Sequence, residues 1–210
     1  MEMNFRLYAL QVGPIRTNCY LIVHEDTQEI IVVDPGDEAE RILDKCRELG
    51  GEVKAIFLTH GHWDHTNGVK GLKTSLPEVK VYAGAKECAM LRTPSLNAGH
   101  GGVADEIEPD VTVEDGEVLS VIGLDFKVLE TPGHTAGSVC YYMEKDGVLF
   151  AGDTLFRGSY GRTDLPTGDE AAIRKSLRRL ADELPDDVSV LSGHGPTSTM
   201  AFEKAHNPAL

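Results

Sequence analysis

The sequence predicts an α/β protein built as a single domain that spans residues 1–210. About nine short, β-branched runs alternate with about three amphipathic helical runs, a pattern typical of layered α/β folds. Hydrophobic residues make up 41% of the chain and charged residues 26%, as in globular proteins. No repeat, linker or low-complexity segment divides the sequence. These three observations indicate one core covered by helices and sheets.

The predicted strands are short apolar runs bounded by turn residues. Two of the connections between them are expected to be hairpins, at Glu25–Thr27 and at Asp146–Gly147, and Asp-Gly is favoured in tight hairpin turns. The strands are expected at Phe5–Val12, Cys19–Val23, Ile30–Val33, Ala55–Leu58, Lys80–Ala83, Phe126–Leu129, Ser138–Met143, Val148–Ala151 and Val188–Ser192.

Three helices are predicted from a capping residue followed by apolar positions at helical spacing. Asp37 is expected to cap the first helix, Thr66 the second, and Asp169 the third and longest. The predicted buried positions are Ile42, Cys46 and Leu49 in the first helix, Val69 and Leu72 in the second, and Ile173, Leu177, Leu180 and Leu184 in the third.

The segment Thr93–Asp110 is rich in glycine and proline and is expected to be an irregular loop over the active face. His100 within it is a residue that could reach a substrate. This loop is the longest stretch for which the sequence predicts no regular structure.

The charge balance limits the possible partners. Lys and Arg total 20 against 34 Asp and Glu, a formal net charge of −14, which disfavours nucleic acid and anionic membrane surfaces. No run of about 18 apolar residues is present, so no membrane span is expected. The N-terminus also lacks the pattern of a secretory signal. The cysteines form no CxxC pair and are expected to be buried free thiols in a reducing, cytoplasmic compartment, at Cys19, Cys46, Cys88 and Cys140.

One segment dominates the candidate chemistry. His60, His62, Asp64 and His65 lie within six residues, directly after the predicted strand Ala55–Leu58. Neutral imidazole and carboxylate are ligands for zinc, iron and manganese. His60 and His62 can point the same way in an extended segment, whereas Asp64 and His65 can face a second ion from the turn that approaches a helix. The segment therefore predicts a metal site rather than a histidine-rich surface loop.

The same context recurs at three later strand ends. Each strand runs into a short glycine-containing segment that also holds one metal-type ligand, and glycine allows a sharp turn and a close approach. Ligands in open α/β sheets gather at the carboxyl ends of strands. We therefore expect three further side chains to converge on the first cluster, namely His134, Asp153 and His194.

The number of ligands favours two ions, because five histidines and two carboxylates exceed the needs of one. A first ion fits His60, His62 and His134, and a second fits Asp64, His65 and His194, with Asp153 bridging. Water between two such cations ionises near neutral pH, which predicts hydrolysis without a protein nucleophile. Asp64 and Asp153 are the candidate catalytic residues, since they would orient that hydroxide. Zinc is the expected cation, with iron and manganese also compatible.

These residues resemble those of the metallo-β-lactamase superfamily. Its HxHxDH signature stands here as His60–His65, and His134, Asp153 and His194 follow in the same order. The resemblance extends from the Asn18-Cys19-Tyr20 strand to Gly193-His194-Gly195. It implies a four-layer αββα sandwich of two mixed β-sheets, with helices outside and the metals at one sheet edge.

Within that superfamily the chain is most similar to the short form of the glyoxalase II, or hydroxyacylglutathione hydrolase, group. The strings that carry the similarity are Thr59–His65, Thr131–Ser138 and Gly152–Phe156. The resemblance implies a small-molecule thioester substrate such as S-lactoylglutathione. Longer members carry a helical C-terminal extension that supplies part of the glutathione site and has no counterpart after His194, so other thiol carriers stay open.

The stretch Gly158–Pro166 follows Asp153 closely and is expected to lie near the metals. Arg162 could clamp a substrate carboxylate there, and Tyr160 or Ser159 could hydrogen-bond it. Alternatively, Arg162 pairs with a nearby acid such as Asp164 and braces the loop.

Asp34, after a predicted strand, is expected to be structural and to hold loops beside the site.

Other activities stay open beside thioester hydrolysis. One is a mononuclear-iron dioxygenase that acts on glutathione persulfide, because related dioxygenases carry a motif similar to this one. Another is a different hydrolase of the superfamily, such as a lactonase or a β-lactamase, because one fold and ligand set hosts many chemistries. A non-catalytic binding module is a third.

Overall fold

The computed structural model describes residues 4–97 and 103–210 and contains two six-stranded β-sheets that face each other. The strands of the first sheet are β1 (Phe5–Val12), β2 (Thr17–His24), β3 (Glu29–Val33), β4 (Glu52–Phe57), β5 (Lys80–Gly84) and β6 (Val111–Val113). They lie side by side in chain order. The first three strands pair antiparallel, and β3 to β6 pair in parallel, so the sheet is mixed.

The second sheet is formed by the later strands β7 (Val118–Val121), β8 (Leu124–Glu130), β9 (Val139–Met143), β10 (Val148–Gly152), β13 (Ser189–Ser192) and β14 (Ser198–Thr199). Their order is β14-β13-β10-β9-β8-β7. Only the β10–β13 pair is parallel. A separate two-stranded hairpin, β11 (Leu155–Phe156) and β12 (Ser159–Tyr160), lies between β10 and β13 in the chain.

Helices lie outside the sheets, at α1 (Ala39–Glu48), α2 (Trp63–Thr66), α3 (Val69–Ser75), α4 (Cys88–Leu91), α5 (Pro94–Asn97), α6 (Glu170–Glu183) and α7 (Met200–His206), with a 3₁₀ turn at Ala85–Glu87. The apolar faces of α1 and α3 pack on the first sheet, and that of α6 packs on the second. Among the described residues, no helix is long and apolar enough to cross a membrane.

The core between the two sheets contains a cluster of packed aromatic rings. Phe57 of the first sheet packs against Phe126 and Tyr141 of the second, with ring centroids 5.1 and 4.6 Å apart. Burial of such rings is a major source of stability. With helices packed on both outer faces, the result is the four-layer αββα sandwich, and this prediction is confirmed.

All the predicted strands are present, with ends shifted by up to three residues, and both predicted hairpins connect antiparallel strands. The strands that the sequence failed to predict are the short ones, β6, β7, β11, β12 and β14, which have too few residues to show alternation. All four cysteines are buried and unpaired, as expected.

Two of the three predicted helix caps are wrong. Glu38, with φ at 52°, precedes α1 and makes no side-chain cap bond, while Asp37 accepts instead from the backbone N–H of Glu38 at 2.6 Å. Thr66 lies inside α2, because the chain is already helical from Trp63. Asp169 caps α6 as predicted and accepts from two backbone N–H groups of the first turn.

The segment Thr93–Asp110 is not irregular throughout, since it contains the short helix α5. The proline at its first position suits a helix start. His100, the residue of this segment proposed to reach a substrate, lies outside the described residues, as do Gly99, Gly101 and Gly102.

Two backbone hydrogen bonds tie the sheets together at one edge. Asn18 of β2 donates to the carbonyl of Gly193 at 2.7 Å, and Val139 of β9 donates to the carbonyl of Thr59 at 2.8 Å. Gly193 directly follows β13, and Thr59 lies just beyond the end of β4. The segments that carry His60 and His194 are therefore tied to both sheets.

Candidate metal centre

His60, His62 and His134 form a buried triad. One ligand-type nitrogen from each ring lies within 4.8 Å of the other two. Nδ1 of His62 is 2.8 Å from Nε2 of His134. Since ligand atoms of a tetrahedral ion are about 3.3 Å apart at metal–nitrogen distances of about 2.0 Å, this spacing suits a shared cation.

Asp64, His65 and His194 form a second triad beside the first. Oδ2 of Asp64 lies 3.1 Å from Nε2 of His194 and 3.3 Å from Nε2 of His65. Asp64 and His65 are consecutive residues of α2, and although neighbouring helical residues diverge, these two side chains meet at the second triad. His194 reaches the site from the loop after β13.

Asp153 lies between the two triads. Its Oδ1 is 3.3 Å from Nε2 of His65, and its Oδ2 is 3.6 Å from Nε2 of both His134 and His194. One carboxylate thus faces ligands of both triads. The structure brings all seven predicted ligands together at one sheet edge.

Several buried atoms of these side chains have no hydrogen-bond partner in the described part of the chain, among them Nε2 of His60, Nε2 of His65 and Oδ1 of Asp153. An unsatisfied buried polar atom is costly and rare in folded proteins. A divalent cation would satisfy such atoms, and their nitrogen and oxygen donors suit zinc, iron or manganese. The residues present therefore fit a metal centre.

Hydrogen bonds on the far side of three rings fix which nitrogen faces the site. Nδ1 of His134 lies 2.7 Å from the Arg162 carbonyl, which can only accept, so this nitrogen carries the proton. Nδ1 of His65 donates to Oδ2 of Asp34 at 2.9 Å. The Thr59 hydroxyl donates to Asp34 and so accepts from Nδ1 of His60 at 3.1 Å. Each ring is left with an Nε2 lone pair for a cation.

Asp34 braces the site, as the sequence favoured. Its oxygens accept from the backbone N–H of Thr59 at 2.8 Å, the Thr59 hydroxyl at 2.7 Å and the His65 ring. The carboxylate is 2% exposed, so these bonds are shielded from water. Both oxygens are occupied by protein donors, which favours orienting His65 over binding a cation directly.

Glu87 is a buried carboxylate that the sequence analysis missed. It is 1% exposed, and its two oxygens accept from the backbone N–H of Gly61 at 2.7 Å and of Gly137 at 2.9 Å. Gly61 lies between His60 and His62, and Gly137 follows His134. Glu87 therefore joins the two loops that carry the first triad. A single glutamate beside a lysine gives no sequence signal for this role.

Close approach explains two glycines of the site. A Cβ on Gly193 would lie 2.2 Å from Oδ1 of Asp153 and 2.5 Å from Cε1 of His65. A Cβ on Gly161 would lie 1.9 Å from the Asp153 carbonyl oxygen. Any side chain at either position would displace ligands of the site.

The two triads differ electrostatically. Burial lowers the pKa of His60 well below its usual range and that of His62 to about 3, and the neighbouring imidazoles add to both shifts. Burial also disfavours the charged form of His65, but the carboxylates of Asp64, Asp153 and Asp34 outweigh it and raise the pKa of this ring. His60 and His62 are thus neutral donors, whereas the carboxylates around His65 favour positive charge on that ring.

A cavity of about 580 Å³ opens over the two triads. Its walls include the apolar side chains Ile15, Trp63, Phe156 and Leu165, besides five of the seven candidate ligands. The volume is that of a small-molecule site.

The candidate substrate-binding residues Ser159, Tyr160 and Arg162 all line this cavity. Arg162 makes two hydrogen bonds to the carboxylate of Asp164, at 2.6 and 2.7 Å. The bracing interpretation of Arg162 is therefore the one that the geometry favours. The hydroxyl of Tyr160 donates to Glu170 at 2.9 Å, so it too has a protein partner.

Residues of α7 and of the segment just after it form hydrogen bonds to the β11–β12 hairpin, which forms one wall of the cavity. Glu203, which is 0% exposed, accepts from the backbone N–H of Gly158 at 2.9 Å and from the Ser198 hydroxyl. The Asn207 amide donates to both Glu203, at 2.8 Å, and the Ser159 carbonyl, at 2.9 Å. This second buried glutamate was also missed from the sequence.

A family model of the metallo-β-lactamase superfamily matches residues 12–194, and the chain belongs to that superfamily. Hydroxyacylglutathione hydrolase GloC from Haemophilus influenzae is 34% identical over 204 residues, which are 96% of this chain and 96% of GloC. The B3 metallo-β-lactamase BLEG-1 is 36% identical, with a TM-score of 0.90 over 97% of this chain and 98% of BLEG-1. TTHA1623, solved in a di-iron-bound form, is 35% identical, with a TM-score of 0.86 over 97% of this chain and all (100%) of that one.

The family, the fold and the cluster of histidine and aspartate side chains agree. The protein is a hydrolase-like member of the superfamily with a cluster suited to divalent metal ions.

Proposed function

We propose that this protein is a binuclear metal-dependent hydrolase that cleaves thioesters, with S-2-hydroxyacyl thiols such as S-lactoylglutathione as the substrate class. The observation that carries the proposal is Asp153, whose two oxygens lie 3.3 to 3.6 Å from ligands of both triads. A carboxylate in that place suits two ions that share it. GloC, a hydroxyacylglutathione hydrolase similar to this chain over nearly its whole length, supports the choice of substrate.

In this proposal His60, His62 and His134 would hold one ion and Asp64, His65 and His194 would hold the other, with Asp153 placed to contribute to both. Two cations there would supply Lewis acidity and would make a water acidic enough to ionise near neutral pH. Zinc is the first candidate, and iron and manganese suit the same donors. The di-iron form of TTHA1623 supports including iron in every test.

The chain's own groups orient the reaction. Asp64 is fixed by the Thr17 hydroxyl, which donates to Oδ2 at 2.9 Å, so its carboxylate has one defined position. Asp64 and Asp153 both face the cavity, where they accept hydrogen bonds from the attacking water and align it with the carbonyl carbon. Trp63, Phe156 and Leu165 exclude bulk water from the acyl group.

The overall step balances without a further reagent. Water adds its oxygen to the carbonyl carbon, the C–S bond breaks, and sulfur keeps the electron pair, which yields a carboxylic acid and a thiol. Thiols are far more acidic than alcohols, so the sulfur leaves without a strong proton donor. A serine or cysteine nucleophile is not required.

We further propose a single domain over residues 1–210, a cytoplasmic location and a small-molecule partner rather than nucleic acid or membrane. The net charge of −14 and the dimensions of the cavity support the last of these.

The test is a substrate panel run on protein loaded with zinc, iron or manganese. We expect thioester cleavage under nitrogen, at a rate well above that with a lactone or a β-lactam. The matched variant Asp64→Ala should lose at least about a hundredfold in kcat/KM, because both a ligand and the alignment of water are removed. Oxygen consumption with glutathione persulfide, without thioester cleavage, would replace the proposal with the dioxygenase alternative. Full activity of Asp64→Ala at normal metal content would refute the assignment of this residue.

A further inference from the structure

A second groove borders the active-site cavity. It has a volume of about 470 Å³ and is lined by Gln11, Ile15, Arg16, His194, Gly195 and Pro196. Ile15 and His194 also line the main cavity, so the two spaces meet at the second triad. A substrate whose carbonyl lies at the metals can therefore extend in two directions.

Arg16 is the cation among the residues that line this groove, and Gln11 orients its exposed side chain. Nε and Nη2 both donate to Oε1 of Gln11, at 3.0 and 2.7 Å. The backbone N–H of Arg16 donates to the Gly13 carbonyl at 3.2 Å, and its φ is 60°, a conformation uncommon for residues other than glycine. Since Gln11 is neutral, it orients the guanidinium without cancelling its charge.

Two other arginines are placed differently, Arg162 in the lining of the main cavity and Arg174 beside the lining residue Tyr160. Arg162 pairs with Asp164 at 2.6 Å, and Arg174 pairs with Glu170 at 2.7 Å. Within residues 4–97 and 103–210, no acidic oxygen lies within 4.0 Å of a side-chain nitrogen of Arg16. In a chain with 34 acidic and 20 basic residues, Arg16 thus keeps a positive charge beside the site.

We propose that this groove binds a carboxylate on the thiol half of the substrate and that Arg16 selects it. The inference rests on the proposed function. The carbonyl must lie at the metals, and the main cavity, which contains five of the seven candidate ligands, would hold the small 2-hydroxyacyl half. The groove is the more open of the two spaces, which suits the half that leaves as a thiol. The remaining N–H groups of an oriented guanidinium can donate to both carboxylate oxygens.

The test measures equilibrium binding, so it does not depend on turnover. The probes are two non-hydrolysable thioethers, S-methylglutathione with free carboxylates and the same molecule with both carboxylates amidated. Metal-loaded protein should bind the free acid about fivefold more tightly than the amide, the size of an accessible ion pair. Arg16→Ala should abolish that preference, and Arg16→Glu should reverse it.

Arg178→Ala is the matched control. Arg178 is an exposed arginine of α6 that lines neither space and has no acidic partner among the described side chains. The Arg178→Ala substitution removes the same unit of charge as Arg16→Ala and should leave the preference for the free acid unchanged. An equal loss of preference in both variants would indicate a general charge effect and overturn the proposal. A preference retained by Arg16→Ala, or no binding of either thioether by the native protein, would also overturn it.

Thioester cleavage separates this inference from the function on which it rests. If the native protein cleaves thioesters of neutral and anionic thiols equally, and Arg16→Ala changes neither KM, the hydrolase proposal stands and the role of Arg16 is wrong. If neither thioester is cleaved but Arg16 controls binding of the free acid, the function is wrong and the anion groove stands.

Discussion

The ring of His65 and the carboxylate of Asp34 are joined by a buried hydrogen bond, with Nδ1 and Oδ2 2.9 Å apart. His65 is 0% exposed and Asp34 is 2% exposed. The bond leaves Nε2 of His65 facing the oxygens of Asp64 and Asp153, each at 3.3 Å. A carboxylate behind a ligating histidine fixes the ring and raises its basicity. Asp34 thus acts on the second triad through His65.

Replacing Asp34 with Asn should weaken metal binding at the second triad. Asparagine tolerates the left-handed backbone found here, where φ is 50°, and can still accept one hydrogen bond, but the charge behind His65 is lost. We expect affinity for the second ion to fall by about 10- to 100-fold and affinity for the first ion to fall less, because His60 is linked to Asp34 only through the Thr59 hydroxyl. Metal titration followed by elemental analysis measures both. Equal weakening of the two ions would contradict the link from Asp34 to His65.

Acidification should release the ion of the second triad first. The carboxylates of Asp64, Asp153 and Asp34 raise the pKa of His65, so in metal-free protein its ring carries a second proton, on Nε2, which a cation must displace. The affinity of the second triad for a metal ion therefore falls as the pH is lowered below the raised pKa of His65. The pKa of His62 is lowered to about 3, so protons do not compete with a metal ion for this ring until the pH falls to about 3. Metal content after dialysis at a series of pH values checks the order, and loss of both ions in one step near pH 6.5 would contradict it.

Glu87→Gln should loosen the first triad. Both carboxylate oxygens of Glu87 accept from backbone N–H groups, and the NH₂ of glutamine would place a donor against one of them. Leaving a buried donor unpaired costs about 1–3 kcal/mol, so the loops of His60, His62 and His134 should shift. We expect weaker binding of the first ion and a lower Tm, measured by metal titration and thermal unfolding. Native metal affinity in a folded Glu87→Gln protein would show that the carboxylate does not position these ligands.

Glu203→Gln, a matched change of another buried glutamate, should give a different result. Glu203 holds Gly158 behind the cavity wall and contacts none of the seven candidate ligands. We expect a similar loss of stability, about 1–3 kcal/mol, and a raised KM, while both ions stay bound. Steady-state kinetics and metal analysis on the same preparation measure the two effects. Metal loss in this variant would mean that the two glutamates are not independent.

The sequence predicted the parts of the molecule whose signals are local. The strand ends at His60, His134, Asp153 and His194 could be recognised because each ligand follows an apolar run beside a glycine. The position of Asp153 between the triads followed from the count of ligands. The αββα sandwich itself came from the family resemblance, since no periodicity specifies which strands pair.

The parts that could not be predicted depend on contacts between distant segments. Glu87 contacts Gly137 across 50 positions of the chain, and Glu203 contacts Gly158 across 45. Neither residue differs from a surface glutamate by its neighbours in sequence. The sequence left two roles open for Arg162, binding a substrate carboxylate or pairing with a nearby acid, because it does not show which acidic partner a charged residue takes. The structure shows the pairing with Asp164, two residues away.

The central claim is that seven side chains hold two cations that share Asp153, and the metal content of the saturated protein tests it most directly. Metal-free protein is titrated with zinc, then separately with iron and with manganese, and bound metal is counted per chain after removal of the excess. The account predicts about two ions per chain for at least one of these metals, falling to about one in Asp34→Asn at limiting metal. Saturation at a single ion per chain with every metal, or no bound metal at all, would contradict it.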